Sequence, residues 1–130
     1  MAGMRTTRSG RARPQGGGFE TAVWYLMRVS GLALFVLALS HFSIMHFLSD
    51  PANQNAAWVT DRWGSLLWRT VDWLMLTMVV FHSFMGVRTV LQDYVKGGAR
   101  LLLTSILYVL AILLFLMGTL AVATLQFPVK

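Results

Sequence analysis

The sequence predicts an all-α membrane protein with three transmembrane helices and a cytoplasmic N-terminus. Of its 130 residues, 56% are hydrophobic and only 12% are charged, which is about half the charged fraction of an average soluble domain. Because a transmembrane helix needs about 20 apolar residues, three spans use most of the chain and leave no room for a soluble catalytic domain. The absence of cysteine excludes disulfides, iron–sulfur ligation and thiolate metal sites within this chain.

The N-terminal residues 1–19 are polar and rich in glycine and arginine, and we expect them to be disordered. A three-helix membrane anchor follows at residues 20–130. Its first span is predicted at about 23–48, because Val29–Leu48 contains no Asp, Glu, Lys or Arg and is long enough to cross a bilayer. Trp24 lies where an aromatic belt is expected. The Ser-Asp-Pro sequence after Leu48 predicts the end of the helix.

Residues 49–65 form a polar loop with two tryptophans, and the second span is predicted at about 66–95. Asp72 lies just inside one end of this span, where we expect it to pair with Arg69 three residues earlier. A Gly-Gly pair predicts the next turn. The third span, at about 100–127, is strongly apolar and contains neither histidine nor acid. We therefore expect it to pack against lipid and partner helices.

The distribution of positive charge predicts the orientation of the chain in the membrane. With the N-terminus inside, most lysines and arginines lie on or near the cytoplasmic side, which is the positive-inside bias. The net charge of +6 is thereby explained without a nucleic-acid partner. We expect a multi-pass protein integral to the cytoplasmic (inner) membrane. The residues on the inner side are Arg5, Arg8, Arg11, Arg13, Arg28, Arg88, Lys96 and Arg100, and those on the outer side are Arg62, Arg69 and Lys130.

His82 lies near the bilayer midplane, where an unpaired polar group is costly. Two interpretations fit its position: a hydrogen bond to a neighbouring helix, or ligation of a haem iron through the neutral imidazole. Gly86, one turn further on, allows close approach of either a flat macrocycle or another helix. Arg28, near the start of the first span, either extends towards the lipid headgroups or forms a salt bridge with a haem propionate.

Two further histidines lie nearer the outer surface. We expect His41 and His46 roughly 9 and 16 Å further out than His82, too far to bind the same iron. Structural hydrogen bonding is their default role, and a second haem near the outer face is the alternative. At the other end of the second span, Asp93 and Tyr94 are either ordinary interfacial residues or a quinone site. In such a site the phenol donates to a quinone carbonyl, and the carboxylate orients it or relays a proton.

The stretch from His82 to Val95, H-S-F-M-G-V-R-T-V-L-Q-D-Y-V, resembles a pattern of a known family. That pattern, H-x-x-x-G-x-x-x-x-L-x-D-Y-V, belongs to the D-type hydrophobic membrane-anchor subunit of succinate dehydrogenase (succinate:quinone oxidoreductase, complex II). The spacing matches without a gap. The sequence Met27-Arg28-Val29-Ser30 resembles the arginine-bearing start of that family's first span. The three-span layout extends the resemblance over the chain from about residue 20.

The resemblance implies a role for each of these residues. His82 would be an axial ligand of haem b, with the other axial histidine supplied by a C-type anchor chain that packs against this one. Arg28 would approach a haem propionate, and Tyr94 would line the quinone site with Asp93 beside it. A flavoprotein subunit with FAD and an iron–sulfur subunit would dock on the cytoplasmic face. Electrons would pass from succinate to quinone, and this chain would not be an enzyme alone.

Other interpretations of the same residues remain open. The chain could be a haem-free structural anchor of a respiratory complex, in which the histidines only form hydrogen bonds. It could also be a small proton-coupled transporter subunit, although it has no acid in the centre of the bilayer. A fumarate reductase anchor would be the same module run in reverse. Arg88 faces away from His82 on a helix, and we assign it to docking or to a lipid phosphate.

Overall fold

The structure, a computed structural model, describes residues 18–125 in full and the backbone of two short strands before them. Strands β1 (Arg5–Thr6) and β2 (Ala12–Arg13) pair antiparallel, with Arg5 opposite Arg13. The rest of the tail that we expect to be disordered lies outside the described residues, as do residues 126–130.

The first span begins at Phe19 rather than at residue 23. Helix α1 covers Phe19–Ser43 and continues as a short π-helical segment, Ile44–Leu48. The helix ends where the sequence predicts, because Ser49 is extended and Asp50 caps the next turn by accepting a hydrogen bond from the Ala52 amide at 3.0 Å. The continuous helical segment Phe19–Leu48 is long and apolar enough to cross a membrane.

Helix α2 (Ala56–Gly64) forms within the polar loop, capped by the Asn55 side chain, which accepts from the Trp58 amide at 3.0 Å. Helices α3 (Leu66–Tyr94) and α4 (Gly97–Thr124) are the two remaining candidate spans. The turn between them uses Gly97, whose φ of +67° is readily adopted only by glycine. Three apolar helices of spanning length confirm the predicted fold class of a multi-pass membrane protein.

Helix α3 packs against both α1 and α4. Against α4, the backbone at Gly118 comes so close to Leu76 that an added Cβ would lie 2.6 Å from a Leu76 methyl carbon. The Trp73 indole N–H also donates to the Thr119 hydroxyl at 3.1 Å. The interior is nevertheless thin, since the buried residues of the described part are Val23, Ser30, Arg88 and Val122. Most of the apolar surface therefore faces outward, as it must in lipid.

Candidate functional site

His82 on α3 faces α1, where its Nδ1 atom lies 2.9 Å from the hydroxyl oxygen of Ser30. Ser30 is only 2% exposed, so this hydrogen bond lies inside the contact between the two helices. The bond satisfies one nitrogen of an imidazole that stands in the middle of an apolar helix. The contact therefore fixes one edge of the His82 ring against α1.

The surroundings of Ser30 favour one of the two neutral tautomers of His82. The Ser30 hydroxyl oxygen lies 3.3 Å from the carbonyl oxygen of Met27. A carbonyl only accepts, so a hydroxyl that donates to Met27 accepts from the imidazole, which then carries its proton on Nδ1. This tautomer leaves the lone pair on Nε2. Within residues 18–125 no hydrogen bond to Nε2 is formed.

Two glycines lie along this α1–α3 contact, and they differ in how much space they leave. A Cβ added to Gly31 would lie 3.2 Å from Cε1 of His82, which is tighter than an ordinary carbon contact. A Cβ added to Gly86 would lie 3.8 Å from the Met27 methyl group, which is an ordinary contact. The packing of α1 against α3 therefore leaves no room for a side chain at Gly31, whereas it leaves room for one at Gly86.

Arg28 lies closer in depth to His82 than the sequence suggests. When depth is measured from the predicted ends of the spans, Arg28 and His82 differ by about seven residues, roughly 10 Å. Because Ser30 contacts His82 directly, Arg28 is only two residues, roughly 3 Å along α1, from that level. Its side chain is exposed, and its guanidinium carbon lies 3.5 Å from the centre of the Trp24 ring. Arg28 also lines a cleft between α1 and α3.

The assignment of Arg88 to docking or lipid phosphate is wrong. Arg88 is 8% exposed, and its two terminal nitrogens donate to the two carboxylate oxygens of Glu20 on α1 at 2.5 and 3.3 Å. This pair could not be predicted from a first span that begins at residue 23, because Glu20 then lies before the helix, whereas α1 already begins at Phe19. The bidentate pair joins α1 to α3 near the end of the bilayer that we predict to be cytoplasmic.

Asp93 and Tyr94 are the last two residues of α3, and both are exposed. Tyr94 is 83% exposed. They lie about eleven residues beyond His82, roughly 16 Å along the helix. This chain brings His82, Ser30 and Gly31 together, with Arg28 nearby, but it does not enclose Tyr94. A closed pocket around the tyrosine therefore requires surfaces that residues 18–125 do not supply.

A second polar cluster lies at the opposite end of the bilayer, around Asp72. One carboxylate oxygen accepts from Arg62 at 2.8 Å, and the other accepts from the Trp63 indole at 2.8 Å. His41 Nδ1 lies 3.4 Å from the first oxygen. The expected pairing of Asp72 with Arg69 is therefore replaced by a pairing with Arg62. Residues 49–65 are predicted to form a polar loop, but they contain α2, which carries Arg62 back over α3.

This cluster also corrects the expected depths of the outer histidines. With Ser30 level with His82, His41 is eleven residues further along α1, roughly 16 Å. His46 is sixteen residues further, roughly 24 Å, and its Nδ1 lies 3.1 Å from the Phe42 carbonyl oxygen. Both distances exceed the 9 and 16 Å expected. The conclusion that neither histidine can bind an iron at His82 is therefore strengthened.

The sequence analysis gave no role to Ser30, Gly31 or Glu20. A signal for Ser30 was present, because the serine belongs to the Met27–Ser30 motif on which the family resemblance partly rests. Gly31 follows it directly, and no spacing rule within one helix can reveal that it faces a histidine 51 positions away. Within the described residues no group of three or more His, Cys, Asp or Glu side chains could hold a metal ion. A single histidine can serve as an axial ligand of a haem iron.

Comparisons with known proteins place these residues in a family context. Residues 5–120 match the family model described as the succinate dehydrogenase/fumarate reductase transmembrane subunit. The chain is also 30% identical over 96 residues to the succinate dehydrogenase hydrophobic membrane anchor subunit of Archaeoglobus fulgidus. That alignment covers 71% of this chain and 81% of the relative. The family match contains α1, α3 and most of α4, and hence both sides of the Ser30–His82 contact.

Proposed function

This chain belongs to the succinate dehydrogenase/fumarate reductase transmembrane subunit family, and we propose that it is the D-type anchor half of a haem b and quinone module. In this role it binds haem b together with a C-type anchor chain and forms part of the quinone-reduction site. It also holds the flavoprotein and iron–sulfur subunits at the membrane. The observation that carries the proposal is the Ser30–His82 hydrogen bond, because it prepares one imidazole nitrogen to bind a metal.

The donor arrangement fits a haem iron. Metal-binding histidines usually donate their second ring N–H to an oxygen, which fixes the tautomer and the orientation of the ring. Ser30 supplies that oxygen at 2.9 Å, and the Nε2 lone pair of His82 is left to bind iron. The second axial histidine would come from the C-type chain. When bound, the haem supplies a one-electron redox centre near the middle of the membrane.

Arg28 would bind a propionate at the edge of the haem, and Gly86 would lie against the flat face of the same haem. Arg28 is exposed and lies roughly 3 Å in depth from the level of Ser30, where its guanidinium can form a salt bridge with a propionate. Its stacking on Trp24 holds the cation near the α1–α3 cleft. At Gly86 the helix packing does not require a glycine. Its missing side chain is therefore better explained by a ligand that lies flat against α3 than by the contact with α1.

Tyr94 and Asp93 would act on quinone at the surface that α3 reaches. The Tyr94 phenol donates a hydrogen bond to a quinone carbonyl, which lowers the cost of adding negative charge to that oxygen. The Asp93 carboxylate is exposed and can pass protons from water to the same site. Because reduction of a quinone takes up two electrons and two protons, a position at the water interface is favourable. The exposed tyrosine fits a pocket completed by the C-type and iron–sulfur subunits.

A haem-free anchor remains the second candidate, because the same hydrogen bond that orients His82 would also satisfy it structurally. In that case His82 joins α1 to α3 and contributes no ligand. Both candidates keep the function of membrane anchor. They differ in whether Nε2 binds iron, which an optical experiment can measure directly.

The test is a dithionite-reduced minus oxidised spectrum of the complex purified through this chain, in the wild type and in His82→Ala. Loss of the b-type bands in the variant, with all subunits retained, is the expected result. His46→Ala is the matched control, because that histidine bonds to and stacks on Phe42 of its own helix, roughly 24 Å from the level of His82, and its loss should leave the bands intact. Flat spectra in every sample would favour the haem-free anchor, and bands that survive in His82→Ala would assign the ligand elsewhere.

The quinone role is tested separately with Tyr94→Phe, which removes only the hydroxyl. We expect succinate–quinone reductase activity to fall while succinate oxidation by an artificial acceptor at the soluble subunits is unchanged. Tyr25→Phe is a matched control, because Tyr25 is an exposed tyrosine on α1 outside the proposed site. Equal quinone activity in the wild type and Tyr94→Phe would exclude the phenol as a hydrogen-bond donor to quinone.

A further inference from the structure

A groove between α3 and α4 has two parts of different chemistry. The part near the α3–α4 turn, about 290 Å³ in volume, is lined by polar side chains that include Arg100, Thr104 and Tyr108. The deeper part, about 310 Å³, is lined almost entirely by apolar groups that include Phe81 and Phe115. Tyr108 lines both parts. The two parts therefore form one groove with a polar mouth and an apolar interior.

The cation available at the mouth is Arg100. Arg88 also lines the mouth, but Glu20 already neutralises it through two hydrogen bonds. Arg100 is exposed, and its hydrogen bond is a long one of 3.5 Å to the backbone carbonyl of Gln92. Such a bond is at the limit of the geometry, so the guanidinium is free to bind an anion. Tyr108 lies further along α4, where its side chain interacts with Arg88.

The depth of the groove matches one leaflet of a bilayer. From Arg100 to Tyr108 is eight residues, roughly 12 Å along α4, and the apolar part continues to the level of Phe81 and Phe84. These phenylalanines flank His82 in the middle of α3. The hydrocarbon of one leaflet is about 15 Å deep, half of a core of about 30 Å. An amphiphile with its head at Arg100 would therefore end its chain near the bilayer midplane.

We propose that this groove binds an anionic phospholipid of the leaflet that contains the α3–α4 turn. The phosphate binds Arg100, and one acyl chain passes Tyr108 and lies along Phe81, Phe84 and Phe115. A quinone also has an apolar tail, but its neutral head gives no reason for a cation at the mouth. A partner helix would have to place an acidic side chain against Arg100, whereas lipid phosphates are present at that depth in every membrane. The lipid would fill the gap between α3 and α4 without covering Tyr94.

The test is native mass spectrometry of the purified complex titrated with dioleoylphosphatidylglycerol or dioleoylphosphatidylcholine, which share acyl chains and differ in net charge. We expect the wild type to favour the anionic lipid. Arg100→Gln should weaken phosphatidylglycerol binding about fivefold, the effect of one basic residue near an anionic lipid. It should weaken phosphatidylcholine binding less, because the choline ammonium already balances the charge of that phosphate. Lys96→Gln is the matched control, because it removes the same charge at the same surface without lining the groove.

A second pair of variants probes the apolar part. Ala111→Phe fills the groove from α4 and should weaken both lipids equally, whereas Leu113→Phe changes an exposed residue outside it and should weaken neither. Equal affinity of the wild type for the two lipids, or equal losses in Arg100→Gln and Lys96→Gln, would overturn the proposal. A raised KM for quinone with unchanged lipid binding in Ala111→Phe would assign the groove to the quinone tail. Release of the C-type chain by that variant would assign it to a partner helix.

Discussion

Replacing Ser30 with alanine tests whether this residue prepares His82 for iron. In the tautomer that we propose, the substitution removes the hydroxyl that accepts from Nδ1 at 2.9 Å, and the 2% exposure of Ser30 leaves little room for water to replace it. An unpaired buried N–H costs about 1–3 kcal/mol. The proton then moves to Nε2, where it blocks the lone pair, or the imidazole bears that cost. Since each 1.4 kcal/mol is about a factor of ten, haem affinity should fall about 5- to 100-fold, in the range typical of such supporting residues.

The assay is the rate and extent of haem transfer from the detergent-solubilised complex to an excess of apomyoglobin, followed by absorbance. Subunit composition is measured on the same sample, so that haem loss is separated from disassembly. Ser83→Ala is the matched control, since Ser83 is the next residue after His82 but its hydroxyl donates to the Val79 carbonyl of its own helix at 2.6 Å. We expect Ser83→Ala to release haem at the wild-type rate.

Either of two results would refute this reasoning. If Ser30→Ala retains haem as tightly as the wild type, the serine does not determine the tautomer of His82. If Ser83→Ala releases haem as fast as Ser30→Ala, the effect comes from any hydroxyl lost near His82 and not from the contact across the helices. Ser30→Thr adds a third point, because it keeps the hydroxyl and should retain more haem than Ser30→Ala if the hydrogen bond is the cause.

Three further predictions follow from the packing around the site. Gly31→Ala should displace His82 by a few tenths of an ångström, because the new Cβ would lie 3.2 Å from the ring, and a shifted low-spin haem signal in electron paramagnetic resonance would report this. Gly98→Ala is the control and should leave that ligand geometry unchanged, because a Cβ added there would have no heavy atom within 4 Å. Glu20→Gln should lower the free energy of unfolding by about 1.5 kcal/mol. This is the lower end for a hydrogen bond to a charged group, because the Glu20 side chain is 62% exposed. An unchanged melting temperature of the complex would contradict this prediction. Asp72→Asn should speed amide hydrogen exchange in α2, because it leaves the buried Arg62 without its carboxylate. The variant should retain its haem, which would lie roughly 15 Å away along α3.

The number of spans could be predicted from sequence because it depends on a property of each segment taken alone. A run of apolar residues long enough to cross the bilayer has few possible conformations other than a helix, since every backbone group must be paired within the segment. The start of α1 was missed because Glu20 is charged, and hydropathy alone places a charged residue outside the membrane. The helix can begin at Phe19 because the charge of Glu20 is balanced by Arg88 on another helix.

The pairings between helices could not be predicted, and they account for the errors at Arg88 and Asp72. Spacing along one helix gives the face on which a residue lies, but the offset between two helices is set by packing. Once the Ser30–His82 contact fixes that offset, His41 falls level with Asp72, as their 3.4 Å separation shows. One long-range contact therefore corrects several depths together, because helices are rigid over the length of a span.

The polar contacts between helices divide the chain into two ends with different roles. At one end Asp72 binds α2 through Arg62 and Trp63, and its two carboxylate oxygens are already occupied, so this cluster stabilises the fold and leaves little capacity for a ligand. At the other end Arg28, Tyr94 and Arg100 are exposed, and their charges and hydroxyl are available to other molecules. This is the end at which we propose that partner molecules bind. The haem, the quinone and the lipid that we propose all lie between the midplane and this end.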